Sequence, residues 1–277
     1  MPVIALTQEM GSLAKDVAVK LATELNLELA RHEVIDHVAN RMHVSKSLVN
    51  RLREGKAGPI ERFRADSHSM AIYTAEEVLD VARRGNVVLR GWGSTCLLRS
   101  VPHVISVRIT RSLEKRIGWL MDHLEADDEN AARDEIHRSD SAHASRMREL
   151  FGVSWGDPLL YDLVLNTDRL SVDSCVAVIR QLASQPEFAE TSDSLDQIDR
   201  MALQARIRSA LRADERTHEV KVSIDSRAGQ VTLKGIVFSD AERDLTQAVA
   251  AAVPGVVDID NQLRVARSSP RFTYSKS

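Results

Sequence analysis

Residues 3–25, VIALTQEMGSLAKDVAVKLATEL, decide the fold of the first part of this chain. Val3-Ile4-Ala5-Leu6 is a short apolar run suited to a buried parallel strand. Gly11-Ser12 supplies a turn, and Val17, Leu21, Ala22 and Leu25 then recur at helical spacing. A strand that feeds a helix N-terminus aims free backbone N–H groups and the positive end of the helix dipole at one spot. Such a spot favours an anion.

A phosphate-binding loop of the form G-x-x-x-x-G-K-[ST] is the nearest pattern. Aligned on Gly11, the chain places Leu13 at that motif's last glycine, Ala14 at its lysine and Asp16 at the metal-binding hydroxyl. Lys15 stands one position away. The stretch is therefore shaped for nucleotides but lacks groups that phosphate chemistry uses. Gly11, Ser12, Leu13, Ala14, Lys15 and Asp16 are the candidate nucleotide-binding residues here.

Working outward, short apolar runs alternate with helical patterns, as in a parallel α/β sheet with helices on both faces. Strands are expected at Val3–Leu6, Leu27–Ala30, Asn86–Arg90, His103–Thr110 and Asp162–Asn166. Helices are expected at Glu33–Met42, Lys46–Glu54, Ser67–Arg84, Leu113–Leu124 and Val172–Ala183, the last with Ser171 as N-cap. The segment 125–148 is highly charged and poor in large apolar residues, and reads as a mobile excursion from the core. QPEFAETSDS, residues 185–194, is polar and aperiodic, and is the expected linker between a domain at 1–184 and one at 195–266, with a tail at 267–277.

After the linker the grammar changes. A helix over Leu195–Arg212 precedes the alternating run Val220–Ile224, a hairpin turn at Ser226–Gly229 and a return strand Val231–Val237. Ser239 and Glu242 form a capping box for a helix that Pro254-Gly255 stops, and Val256–Val265 closes as a strand. This order describes a small two-layer α+β domain. Val220, Val222, Ile224, Val231, Leu233, Ile259 and Leu263 share its helix-covered face, and Gly235 marks a bulge or close backbone approach.

With 43% hydrophobic and 28% charged residues the chain is an ordinary globular one, and its net charge of −3 argues against a nucleic-acid-coating role. Cys96 and Cys175 lack metal-ligand spacing and read as buried thiols in a reducing compartment. The opening apolar stretch is too short for a signal peptide and no run reaches membrane-spanning length, so the expected location is cytoplasmic. His32, His37 and His43 do not share a helix face, which argues against a metal site. Trp92, Trp119 and Trp155 read as packing or lid residues. Residues 38–56, VANRMHVSKSLVNRLREGK, look superficially like a helix-turn-helix with a basic second helix, but the turn lacks glycine and the flanking order is α/β.

Three stretches carry a family resemblance over most of residues 1–184. TQEMGSLAKDVA, NVVLRGWGS and FGVSWGDPLLYDLVLNT resemble the cytidylate kinase-like family, a branch of the nucleoside monophosphate kinases. The resemblance implies a five-stranded parallel core, a mobile lid, and transfer of the ATP γ-phosphoryl group to CMP or a related monophosphate, with Mg2+ held mostly by nucleotide and water. It implies that Arg90 contacts the monophosphate, that Lys15, Arg116, Arg138 and Asp140 serve catalysis, and that the helices within 38–56 are the monophosphate-side insertion. The chain departs from the family at Leu13 and Ala14, where turn glycines are expected, at Arg31, where an aspartate is expected, and at His143, where a lid arginine is common.

Residues 195–266 resemble the BON domain, through VTLKGIV and PGVVDIDNQLRV. That resemblance implies a module that binds a ligand or partner and is often linked to phospholipid. Two readings follow: a nucleotide kinase with a degenerate phosphate loop, or a catalytically inactive regulator or sensor acting through the BON module.

Overall fold

The computed structural model describes residues 2–30, 32–64, 66–91, 93–124 and 128–266, with only the backbone at 32, 62–64 and 124. Arg31, Trp92, the His32 side chain and residues 267–277 lie outside the described residues. The chain divides into two compact units, 1–199 and 200–277.

The first unit is built on five parallel strands, Val3–Gln8 (β1), Glu28–Ala30 (β2), Val87–Arg90 (β3), Val104–Thr110 (β4) and Leu163–Asn166 (β5), in the order β2-β3-β1-β4-β5. All the expected strands are present to within two residues at either end. β1, β3 and β4 are almost wholly buried, which is why they read as continuous apolar runs rather than alternating ones. Ala14–Leu25 (α1) follows β1, and the insertion after β2 contains His32–Met42 (α2), Lys46–Glu54 (α3), Pro59–Arg64 (α4) and Ser67–Arg84 (α5). Leu79, Ala82, Val78 and Val81 of α5 are buried as expected. Ser94–Leu97 (α6), Leu113–Leu124 (α7), Glu129–Phe151 (α8) and Val172–Ala183 (α9) complete the unit, and the Ser171 side chain caps α9 by accepting from the Ser174 N–H.

One core cluster joins α1 and α9 to the sheet, with Leu21, Ile4, Leu6, Ile105, Ile109, Cys175 and Ile179 buried in it. Cys96 is half-buried, and both thiols are free.

The reading of 125–148 as a mobile excursion is corrected from residue 129 onward. That part is α8, a regular helix with Ala132, Ile136, Ser139 and Met147 buried. Its packing stripe mixes small Ala132 and Ser139 with only two large apolar residues, Ile136 and Met147, too far apart to announce an apolar periodicity. Ala132 and Ile136 pack with Ile117 and Leu120 of α7, and Met10 of the β1–α1 loop packs against that cluster. On the other side Arg146 donates to the carbonyls of Leu52 and Arg53 at 2.9 and 2.8 Å, tying α8 to the end of α3. Burial and the Arg53 charge push the Arg146 guanidinium down to about 10.

Ser192–Ala213 (α10) begins inside the expected linker and crosses the division between units. Its first turns belong to the first unit, where the Ser194 hydroxyl lies 2.8 Å from His103 Nδ1 and Gln197 donates to the Ser100 carbonyl at 2.6 Å.

The second unit has Val222–Arg227 (β6), Gln230–Val237 (β7) and Asp258–Val265 (β8), with Asp240–Ala251 (α11) before the last strand. β6 pairs antiparallel and β8 parallel with β7. Ile224, Val231, Leu233 and Leu263 are buried with Leu203, Ile207 and Leu211 of α10, while Val220, Val222 and Ile259 are partly buried against them. Ser239 caps α11 as expected, its Oγ accepting from the Glu242 N–H, while the Glu242 carboxylate reaches one residue further back and accepts from the Phe238 N–H. Gly235 is the expected close approach, since a Cβ there would lie 2.9 Å from the Lys221 carbonyl oxygen.

Candidate functional site

In a parallel sheet, side chains at the carboxyl ends of the strands converge outside one edge. Here Gln8, Arg90, Thr110 and Asn166 end β1, β3, β4 and β5, and the β1–α1 loop, residues 9–13, turns at that edge. Gly11 has φ +78°, and a Cβ on it would sit 3.1 Å from the Arg116 backbone, so only glycine fits there without displacing α7. Leu13 is the residue preceding α1 and is left-handed, with φ 61° and ψ 13°. That conformation suits glycine and costs a branched side chain about 1 kcal/mol. Leu13→Gly is therefore expected to raise the stability of the first unit by roughly 0.5–1 kcal/mol, and a urea melt that shows a loss would refute the strain.

α1 has no side-chain cap, so its first N–H groups are open to an external acceptor. The loop carbonyls, in contrast, are held from outside. Arg116 Nε donates to the Met10 carbonyl at 2.7 Å, Arg111 Nη1 to the Gly11 carbonyl at 3.3 Å, and the Thr167 hydroxyl to the Ser12 carbonyl at 2.9 Å. Ser12 is buried and folds back to donate to the Glu9 carbonyl.

Glu9 is the hub. Its carboxylate accepts from Arg108 Nη2 at 2.6 Å, from the Thr110 hydroxyl at 2.7 Å and from the Arg111 backbone N–H at 3.1 Å, with Arg116 Nη1 at 3.7 Å. Arg108 and Arg116 are only 8% and 4% exposed; Glu9 is the counter-charge of Arg108 and lies at longer range from Arg116, whose own partner is Asp140. Arg108 also lies 4.4 Å from the Trp155 ring centre and donates to the Trp155 carbonyl, while the indole N–H of Trp155 reaches Thr7.

Of the residues singled out in the sequence, Gly11, Ser12, Leu13, Ala14, Arg116 and Asp140 come together. Arg116 and Asp140 form a bidentate pair at 2.9 and 2.7 Å, between α7 and α8. Arg90 is buried at the end of β3, donating to Gln8 Oε1 at 2.9 Å. Lys15 and Asp16 are exposed on the first turn of α1. Arg138 is half exposed and pairs with Glu135 on its own helix. His143 stacks on Trp155 with ring centres 5.2 Å apart, its Nδ1 is 3.0 Å from the Ser139 carbonyl, and burial pushes its pKa below the usual imidazole value.

Sequence reasoning missed Glu9, Arg108 and Arg111. A signal existed for Arg108, a charge inside the apolar strand VISVRIT, which must meet a carboxylate to be buried.

Elsewhere, His37 lies between Glu76 and Glu77, at 2.8 and 3.2 Å, and Trp119 stacks on His123. The cations of the basic helix in 38–56 meet carboxylates: Lys46 with Asp36, Arg51 with Glu61, Arg53 with Glu54 and Lys56 with Glu135. Among the described residues no helix is long and apolar enough to cross a membrane, and no three His, Cys, Asp or Glu side chains converge as metal ligands.

Comparisons with known proteins agree with this architecture. The model of the cytidylate kinase-like family matches residues 3–169, and that of the BON domain matches residues 199–267. A cytidylate kinase of Staphylothermus marinus is 28% identical over 117 residues, 42% of this chain and 65% of that protein. A cytidylate kinase of Methanococcus aeolicus is 24% identical over 103 residues, 36% of this chain and 57% of that protein. The chain thus spans less than two thirds of the length of either relative. A solved structure of an uncharacterized protein from Eubacterium ventriosum matches with a TM-score of 0.53 at 21% identity, over 67% of this chain and 100% of that one, a likeness of fold. On this match of fold and sequence, the chain belongs to the cytidylate kinase-like family and carries a BON domain.

Proposed function

We propose that the first unit binds ATP and a nucleoside monophosphate of the CMP type, and that its phosphate loop is degenerate, so that any transfer of the γ-phosphoryl group is slow. The observation that carries this is the uncapped N-terminus of α1, set beside the arginines that surround the β1–α1 loop. Backbone N–H groups and guanidinium forks are the donors that phosphate oxygens need. Arg90, at the end of β3, is the monophosphate contact in this reading. Magnesium would arrive with the nucleotide and be held by phosphate oxygens and water, because the exposed Asp16 has no converging carboxylate among the described residues.

The inactive, regulatory reading is favoured by one specific observation. Each nitrogen of Arg116 already donates once, Nε to the Met10 carbonyl and both Nη atoms to Asp140, so its fork is closed on a carboxylate and only the second N–H of each Nη is left for a transferred phosphoryl group. In either reading the BON domain is the ligand- or partner-binding half, and the protein works in the cytoplasm.

Calorimetric titration of the whole chain with ATP, CMP and dCMP, with and without magnesium, tests the proposal. Arg90→Ala is expected to weaken CMP binding by about 1.5–3 kcal/mol, the worth of a charge-assisted hydrogen bond. Failure of the unmodified chain to bind any of these nucleotides at millimolar concentration overturns the reading.

A further inference from the structure

We propose that Arg111 supplies the positive charge that the phosphate loop lacks at Ala14, contacting the β- and γ-phosphates of a bound nucleoside triphosphate. The assignment rests on the nucleotide-binding reading and goes beyond it by naming the group that replaces the lysine.

The balance of charge around the loop leads to it. Three arginines, Arg108, Arg111 and Arg116, meet two carboxylates, Glu9 and Asp140. Glu9 is bonded to Arg108, and Asp140 is bonded in bidentate fashion to Arg116. Arg111 is the member left with surplus charge. Its backbone N–H reaches Glu9, but its guanidinium makes no ion pair among the described residues. Among the described residues the guanidinium makes one hydrogen bond, the long contact of Nη1 with the Gly11 carbonyl at 3.3 Å, and its Nε is buried without a hydrogen-bond partner there. A buried donor left unsatisfied costs free energy, and an incoming anionic oxygen removes that cost.

Position supports the same role. Arg111 directly follows β4, at the carboxyl edge of the sheet, and its Nη1 contact places the guanidinium on the apex of the loop that leads into the open N-terminus of α1. The nearby carboxylate Asp168 feels the Arg111 charge, but its own hydrogen bonds go to the N–H and hydroxyl of Ser112. Lys15, the alternative source of charge, is exposed on the first turn of the helix and makes no ion pair among the described residues.

Calorimetry on the full chain separates the possibilities. Arg111→Ala is expected to weaken ATP binding roughly 10- to 100-fold while leaving CMP binding within about twofold, because the lost interaction is a charge-assisted one to the triphosphate alone. Arg111→Lys, which keeps the charge, should recover most of the loss, and Lys15→Ala should cost ATP binding less than Arg111→Ala does. Unchanged ATP binding in Arg111→Ala, equal weakening of ATP and CMP, no recovery with lysine, or a larger loss from Lys15→Ala each overturns the assignment while the nucleotide reading stands. Absence of any nucleotide binding by the unmodified chain overturns both.

Discussion

A coupled assay of the whole chain with ATP and CMP is expected to return a turnover far below the roughly 1–100 s⁻¹ typical of protein kinases, by about 10³-fold or more. Phosphoryl transfer asks little of a protein except cationic donors placed around the moving group and exclusion of water. Even with Arg111 standing in for the charge that Ala14 lacks, the other cations are committed elsewhere. Arg116 has its fork on Asp140 and its Nε on the Met10 carbonyl. Arg138 is turned to Glu135, and His143, where a lid arginine is common in the family, is held toward its neutral form by burial. A single missing charge stabiliser of this kind costs on the order of 10³ in rate. Turnover within or above the ordinary range, measured beside CMP binding, would show that Arg116 can leave Asp140 for the phosphates, and the inactive reading would fall.

Glu9→Ala is expected to destabilise the first unit by about 3–5 kcal/mol, because it strips the counter-charge from buried Arg108. Arg108 and Arg116 are nearly inaccessible, and water cannot readily replace the carboxylate. Glu9→Gln should cost less, since its carbonyl still accepts from Thr110 and from the Arg111 N–H. All three tryptophans, at 92, 119 and 155, lie in the first unit, so tryptophan emission in a denaturant series follows that unit without interference from the second. A midpoint unmoved by Glu9→Ala would mean that the arginines find other partners, and the hub assignment would fail.

Much of the fold was legible because burial writes itself into periodicity. VIAL, NVVLR and HVISVRIT are buried on both faces and read as continuous apolar runs, and the alternation of Val220, Val222 and Ile224 named the covered face of the BON sheet. α8 was illegible because only Ile136 and Met147 among its buried residues are large and apolar, while Ala132, Ser139 and the backbone-directed Arg146 make contacts that raise no hydrophobicity at helical spacing. At the site, Arg116 and Asp140 were reached through family resemblance, but nothing local in the sequence pairs them with each other. Glu9 was illegible for a related reason. Its partners Arg108, Thr110 and Arg111 come from a strand far along the chain, and only the register of β1 on β4, with Thr7 opposite Arg108, brings them near. Lys15 fits the sequence pattern of a phosphate ligand, yet the helical phase places it on the solvent side of α1.

The strand order carries a consequence for how the chain is made. β1 is the middle strand of its sheet, yet the residues it pairs with begin at Val87 on one side and Val104 on the other. On a ribosome it emerges before either of its partners, as an apolar segment with both edges unpaired, and neither edge can be satisfied until a long stretch of later sequence has followed. Closing loops of that length costs entropy before any strand pairing repays it, which slows folding and leaves such a segment open to misassembly. β1 is thus a strand that must wait long for its partners, and its hydrogen bonds on both sides are complete only after β4 has been synthesised.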